Sequence, residues 1–266
     1  MAKDLMHVES ADGTRIGAWR SGTGPPLVLV HGTTSDHARW NVVIPRLAAR
    51  FTCYALDRRG RGASADAPLY DVEREFQDVA AVVDSIGGPV DLLGHSFGGL
   101  CAMEAALLTK NIRRLLLYEP AAFIPANSVY GQEIMERLDW LQATGDREGL
   151  IVTMLRDVAG IPEATIDILR RQAYWATRVA VAHTVLRELR ADERYRLDAA
   201  RLGRIRAPTT LFLGGNSPPF YQDATHLLTE MIPDSRVHVL PGQEHAAMDT
   251  APKRFTGAVL SALTEP

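Results

Sequence analysis

Only 2 of the 266 residues are cysteine. Two thiols cannot frame a disulfide-stapled fold. Cys53 and Cys101 stand in apolar surroundings, Phe51-Thr52-Cys53-Tyr54 and Leu100-Cys101-Ala102-Met103, which suits buried thiols in a reducing compartment; a single bridge between them stays open. No apolar run reaches the ~18 residues that span a bilayer. The first residues, Met1-Ala2-Lys3-Asp4-Leu5-Met6-His7, lack the apolar core of a secretion signal. Neither sign of charge dominates, since 29 Lys+Arg against 32 Asp+Glu leave a formal net charge of −3. Nucleic acids and anionic membranes select basic surfaces, so neither is expected as a partner. No Cys/His cluster has metal-ligand spacing, and no metal or other cofactor is implied. Gly60-Arg61-Gly62 lacks both the spacing and the Lys-Ser/Thr of a phosphate loop. The expectation is a soluble, cytoplasmic protein.

What is present is an ordinary globular composition, 46% hydrophobic and 23% charged, with chain enough for one large α/β domain. Ala11-Asp12-Gly13 is a turn signal between Met6–Glu9 and Thr14–Trp19, an opening hairpin. Leu27-Val28-Leu29-Val30 is short and wholly apolar, as strands buried on both faces are. Similar runs recur at Phe51–Leu56, Val90–Leu93, Arg114–Tyr118, Thr209–Leu213 and Arg236–Leu240. Between Asp71 and Gly87 the apolar residues Val72, Phe76, Val79, Val83 and Ile86 fall at helical spacing and stop at glycine. Alternating strands and helices predict an α/β fold with a mostly parallel sheet. From 123 to 203 no strand pattern occurs, only helical stripes such as Ile134/Leu138/Leu141 and Val181/Val185/Leu189. This segment is read as a helical cap inserted into a core made of 1–122 and 204–266, and excursions of such length tend to be functional.

The chemistry concentrates at Asp91-Leu92-Leu93-Gly94-His95-Ser96-Phe97-Gly98-Gly99-Leu100. An apolar strand runs straight into G-x-S-x-G and then into an apolar helix, the pattern of a nucleophile elbow. On so sharp a turn the side chains two residues to either side of Ser96 would collide, hence Gly94 and Gly98. A serine nucleophile creates an oxyanion that needs two placed N–H donors. One is expected from Phe97, the other from Thr33 on the loop His31-Gly32-Thr33. His31 is read as a brace for that loop. Among eight histidines, His245 has the context of a base, on the loop Pro241-Gly242-Gln243-Glu244-His245 after the last strand. His95 is read as a supporting wall, and His7, His37, His183, His226 and His238 as surface or packing residues, with a pocket role left open for His183.

Taken together, the His31-Gly32 loop, Asp57-Arg58-Arg59-Gly60-Arg61-Gly62-Ala63-Ser64, Gly94-His95-Ser96-Phe97-Gly98 and the late His245 resemble the α/β-hydrolase superfamily over nearly the whole chain, in the family's order. The resemblance implies an eight-stranded, mostly parallel sheet flanked by helices, a variable cap, and cofactor-free hydrolysis of esters, lactones or related acyl bonds.

The chain departs from the family at the acid. Where the usual aspartate follows the strand Thr209–Leu213, this sequence has Gly214-Gly215-Asn216-Ser217, and neither Asn216 nor Ser217 can carry charge. Asp223 lies later, in a predicted helix. Glu119, at the end of Leu115-Leu116-Leu117-Tyr118-Glu119, is the better candidate, because a charge at an apolar strand end needs a partner. Haloalkane dehalogenases and zearalenone-type lactonases place their acid at this strand end. The latter are also similar at Trp175-Ala176 and Leu240-Pro241-Gly242-Gln243-Glu244-His245, with one extra residue here before the histidine.

The expected reaction is two-step acyl transfer to water by Ser96, His245 and Glu119 on a small-molecule ester or lactone. A serine excludes the alkyl-enzyme chemistry of the dehalogenases and epoxide hydrolases. Trp140, Met154, Trp175 and His183 are candidate pocket residues, Leu155 beside them, suited to a mainly apolar substrate. Arg156, Arg170 and Arg171 are read as solvated. The same residues could serve a thioesterase, C–C hydrolase, perhydrolase or lyase, and a small-molecule receptor on the same fold is the competing class. The oligomeric state, a homodimer included, is left open.

Overall fold

The computed structural model describes residues 4–122 and 130–264. Eight strands, β1 (Asp4–Glu9), β2 (Arg15–Ser21), β3 (Pro26–Val30), β4 (Thr52–Leu56), β5 (Val90–His95), β6 (Ile112–Tyr118), β7 (Thr209–Gly214) and β8 (Ser235–Leu240), form one sheet in the order β1-β2-β4-β3-β5-β6-β7-β8. β1 and β2 are the expected antiparallel hairpin, and β2 is antiparallel to β4. The remaining pairs are parallel.

The wholly apolar strands are explained by two covered faces. Leu27, Val28, Leu29 and Val30 are all at 0% exposure. Their side chains alternate with the two-residue period of a strand. Val28 and Val30 join Leu92, Leu115 and Leu117 in a core with Phe76, Val79 and Val83 of the helix Val72–Ser85. Leu27 and Leu29 join Leu93, Leu116 and Tyr118 in a second core, closed by Trp40, Leu47, Phe255 and Val259. Each such side chain contributes about 1.5–3 kcal/mol when withdrawn from water. Cys101 belongs to the first core and Cys53 to the second. Both are free thiols on opposite sheet faces, which excludes the bridge between them that the sequence left open. Burial pushes the Cys53 thiol up to about 12.

Between β6 and β7 the described residues form the helices Gln132–Thr144, Arg147–Thr153, Glu163–Arg170, Trp175–Ala180, Val185–Arg194 and Ala199–Leu202, with no strand. They bury a core of their own around Leu138, Leu150, Ile151, Ile166, Val185 and Leu189. The first residues of the expected cap, 123–129, lie outside the described residues. No helix of the described residues is long and apolar enough to cross a membrane.

The register does the positioning. His95 pairs with Tyr118 across β5 and β6, and Tyr118 with Phe212 across β6 and β7. The residues that follow, Ser96 and Glu119, therefore leave the sheet side by side at its carboxyl edge, with Gly214 ending the next strand.

Candidate active site

Ser96 sits between β5 and the helix Phe97–Ala105 with φ 55° and ψ −127°, a left-handed state that costs a side chain roughly 1–3 kcal/mol. The surroundings hold it there. A Cβ on Gly94 would stand 2.5 Å from Gly98 O, and one on Gly98 would stand 2.3 Å from His31 O. Both contacts are with backbone, so neither glycine can be replaced without displacing the turn. The loop after β3 passes close enough that a Cβ on Gly32 would lie 2.8 Å from Ser96 Cβ. The N–H groups of Thr33 on that loop and of Phe97 at the helix start donate to no other group among the described residues. Thr34 follows with φ 60°.

His245 lies on the loop after β8, and its Nδ1 is 2.6 Å from Oε2 of Glu119. Glu119, itself at φ 42°, also accepts the Gly214 N–H on Oε1 at 2.7 Å. The strand that carries the acid in the family's usual arrangement thus supplies a backbone donor to the acid of its neighbour. Asp223, the weaker sequence candidate, is exposed on the helix Pro219–Met231. Among the described residues no hydrogen bond joins Ser96 Oγ to His245. The two meet as walls of one cavity, and such bonds commonly tighten only when substrate is bound.

Several side chains brace the imidazole. His95 Nε2 donates to the His245 carbonyl oxygen at 2.9 Å. The Tyr118 hydroxyl donates to Glu244 O, and Tyr221 stacks on the His245 ring with centroids 4.5 Å apart. Burial, then the neighbouring His245, holds His95 well below the ordinary imidazole value, so it is a neutral donor rather than a second base. His31 is likewise depressed, by burial and then by Arg58. Its Nε2 accepts the Arg58 N–H at 3.2 Å and its Nδ1 faces Gly32 O at 2.9 Å, the brace the sequence suggested.

The cavity over Ser96 is narrow, ≈ 30 Å³, well below the range of small-molecule sites, so a substrate must part its walls to reach the serine. One side is apolar, built from Met154, Leu155, Ala159, Ile161 and Leu169 of the inserted segment. The other carries Thr33, Thr34, Ser35, Arg39 and Arg178. Of the expected pocket residues, Met154 and Leu155 line it and three do not. Trp140 is 62% exposed. Trp175 packs against the inserted helices' own core and donates from Nε1 to Glu148 Oε1 at 3.3 Å. His183 is exposed, its Nδ1 3.3 Å from Ala180 O. Helical periodicity marks an apolar stripe but not which of two helical neighbours faces the sheet, and here these side chains point elsewhere. Of the remaining histidines, His7 and His226 are exposed, His238 packs on Phe212, and His37 stacks on Trp19 with Nδ1 2.8 Å from Asp57 Oδ1.

Arg39 and Arg178 were not anticipated. A signal existed for Arg178: between Arg171 and Arg187 it is the only Asp, Glu, Lys or Arg in the run Gln-Ala-Tyr-Trp-Ala-Thr-Arg-Val-Ala-Val-Ala-His-Thr-Val-Leu. A lone charge in an apolar helical stretch is either unfavourably buried or functional.

Comparison with known proteins agrees with this fold. The sequence profile of the alpha/beta hydrolase family matches residues 27–258. The structure of an alpha/beta hydrolase from Sphaerobacter thermophilus superposes with a TM-score of 0.83 at 34% identity, over 97% of this chain and 100% of that one. An N-formylmaleamate deformylase from Pseudomonas putida is 35% identical over 146 residues, 53% of this chain and 54% of its own. A probable oxidoreductase EphD from Mycobacterium tuberculosis is 38% identical over 104 residues, 36% of this chain and 18% of its own. The chain thus spans less than two thirds of these two curated relatives. Proteins named as esterases are also among the matches.

Proposed function

This chain belongs to the alpha/beta hydrolase family, and we propose that it is a serine hydrolase opening a carboxylic ester or lactone of a small substrate through an acyl-enzyme. The observation that supports this most is the 2.6 Å contact between Glu119 and His245 Nδ1, on the wall of the cavity that holds Ser96. With Nδ1–H donated to a carboxylate, the lone pair of His245 sits on Nε2, the nitrogen free to take a proton. Ser96 Oγ attacks the carbonyl carbon as His245 accepts its proton, and the oxyanion is received by the N–H groups of Phe97 and Thr33. The tetrahedral adduct collapses, the C–O bond breaks, and His245 returns the proton to the leaving alcohol. Water then attacks the acyl-enzyme, giving its proton to His245, and the acid departs as Ser96 is reprotonated. Of the inserted segment, residues 130–203 act as a cap that shapes the acyl side of the cavity, Met154 and Leu155 among its lining.

A second reading is supported by the spread of the relatives: the same residues could cleave a thioester or an acyl C–C or C–N bond. A panel of p-nitrophenyl esters and thioesters, run with Ser96→Ala as the control, separates these. Turnover of the oxygen esters that disappears in Ser96→Ala is the expected outcome. Tight ligand binding without any serine-dependent turnover would be the signature of a receptor and would contradict it.

A further inference from the structure

Five arginines among the described residues are more than nine-tenths buried, Arg39, Arg58, Arg59, Arg61 and Arg178. Four of them have a carboxylate. Arg39 pairs with Asp249, Arg58 with Glu75, Arg59 with Asp78 and Arg61 with Glu188. Arg178 has none among the described residues, and residues 123–129, Phe-Ile-Pro-Ala-Asn-Ser-Val, bring no acid. It is 4% exposed, on the helix Trp175–Ala180, and it lines the cavity together with Ser96 and His245. Its Nη1 donates to Thr34 Oγ1 at 2.5 Å, and its Cζ lies 5.5 Å from the Tyr174 ring centroid. Nε has no partner, nor has Ser35 Oγ on the same wall.

The acids nearby are otherwise engaged. Asp249 accepts from Arg39 and from the Tyr174 hydroxyl. Asp36 caps the turn His37–Trp40, its Oδ1 accepting the Ala38 N–H at 2.8 Å. A buried guanidinium without a counter-ion is among the costliest arrangements a protein can hold. Burial, with repulsion from Arg39 adding to it and Tyr174 and the more distant Asp249 only partly offsetting it, pulls its proton affinity below the ordinary value. Yet the charge stands at the reacting centre, hydrogen-bonded to Thr34, the residue beside the proposed oxyanion donor Thr33. A neutral ester leaves that charge without a direct partner, whereas a carboxylate on the substrate would pair with it and engage the idle Nε, one arm of the fork that guanidinium offers to two carboxylate oxygens.

We propose that the substrate carries a free carboxylate in addition to the carbonyl that Ser96 attacks, as in a half-ester of a dicarboxylic acid, and that Arg178 receives it. The apolar wall of Met154, Leu155 and Leu169 then packs the carbon chain between the two groups. This assignment rests on the hydrolase reading for its scissile bond but not for its charge.

The test compares p-nitrophenyl hydrogen glutarate with neutral p-nitrophenyl valerate in the wild type, Arg178→Met and Arg178→Lys. The wild type is expected to prefer the half-ester in kcat/KM. The ratio of the two kcat/KM values should fall about 100-fold in Arg178→Met and to an intermediate value in Arg178→Lys, which keeps the charge and loses the fork. A wild-type preference for the neutral ester, or a ratio that neither variant moves, would overturn the assignment; should Arg178→Met fail to fold, the Arg178→Lys ratio decides alone. If the wild type turns over neither ester, the hydrolase reading falls. The anion site is then judged by binding of glutarate alone, which should raise the melting temperature of the wild type and not of the Arg178 variant. Equal shifts, or none, would refute it.

Discussion

Glu119→Gln is expected to lower kcat by roughly 10³–10⁴, the scale on which a triad acid acts, while leaving the fold intact. Glutamine has the same shape and can still accept the Gly214 N–H on Oε1, so the local structure has no reason to collapse. What changes is the group facing His245. A carboxylate accepts from Nδ1–H and leaves the lone pair on Nε2. An amide turned so that its NH₂ meets Nδ1 stabilises the other tautomer, with the proton on Nε2, where it cannot take one from Ser96. The imidazolium formed during attack also loses its counter-charge. Steady-state kinetics on any ester that the wild type turns over, with thermal unfolding alongside, reads both effects. Asp223→Asn is the internal control and should stay within about twofold, being an exposed surface change. A silent Glu119→Gln with a crippled Asp223→Asn would transfer the acid role to the later helix.

The largest effect on stability is expected from Glu188→Ala, a loss of roughly 3–5 kcal/mol. Glu188 is fully buried on the helix Val185–Arg194. Its Oε1 pairs with Arg61 and lies 3.0 Å from Arg58 Nη2. Arg58 in turn is held by Glu75 through bonds of 2.7 and 2.8 Å, and its guanidinium lies 4.5 Å over the ring of Phe97. One carboxylate of the inserted segment therefore neutralises Arg61 and touches Arg58, whose own counter-ion is Glu75, beside the proposed oxyanion donor. Removing it leaves Arg61 with Thr184 Oγ1 at 2.7 Å and the Arg59 carbonyl at 3.3 Å as its hydrogen-bond partners, and with the like charge of Arg58 nearby. Chemical denaturation measures the loss. The double variant Arg61→Met/Glu188→Leu should recover much of it, because apolar replacement of a whole buried pair is often neutral. A loss below about 1 kcal/mol in Glu188→Ala would mean that water reaches this network and screens it.

How much of this was legible in the sequence follows from where each residue stands. Ser96, Glu119 and His245 lie at or just beyond strand ends, and parallel strands in register bring such positions together whatever the intervening chain does. The pairing of His95 with Tyr118 is what makes Ser96 and Glu119 neighbours. The wholly apolar strand runs and the glycines around Ser96 announce that geometry locally. The inserted helices give no comparable rule. Their stripes identified Leu138 and Leu189 as core, but the orientation of each helix over the sheet is set by tertiary packing. Trp140 and His183 consequently face outward, and Arg178 faces in. The buried ion pairs were equally hidden, since Arg61 and Glu188 meet across 127 positions.

The central claim, a serine made nucleophilic by a histidine that a glutamate holds, is tested most directly by covalent labelling with a fluorophosphonate and peptide mass spectrometry. One adduct per chain on Ser96 is predicted, absent in Ser96→Ala and formed far more slowly in Glu119→Gln. Label on another residue, or none on the folded wild-type protein at reagent excess, would contradict the account.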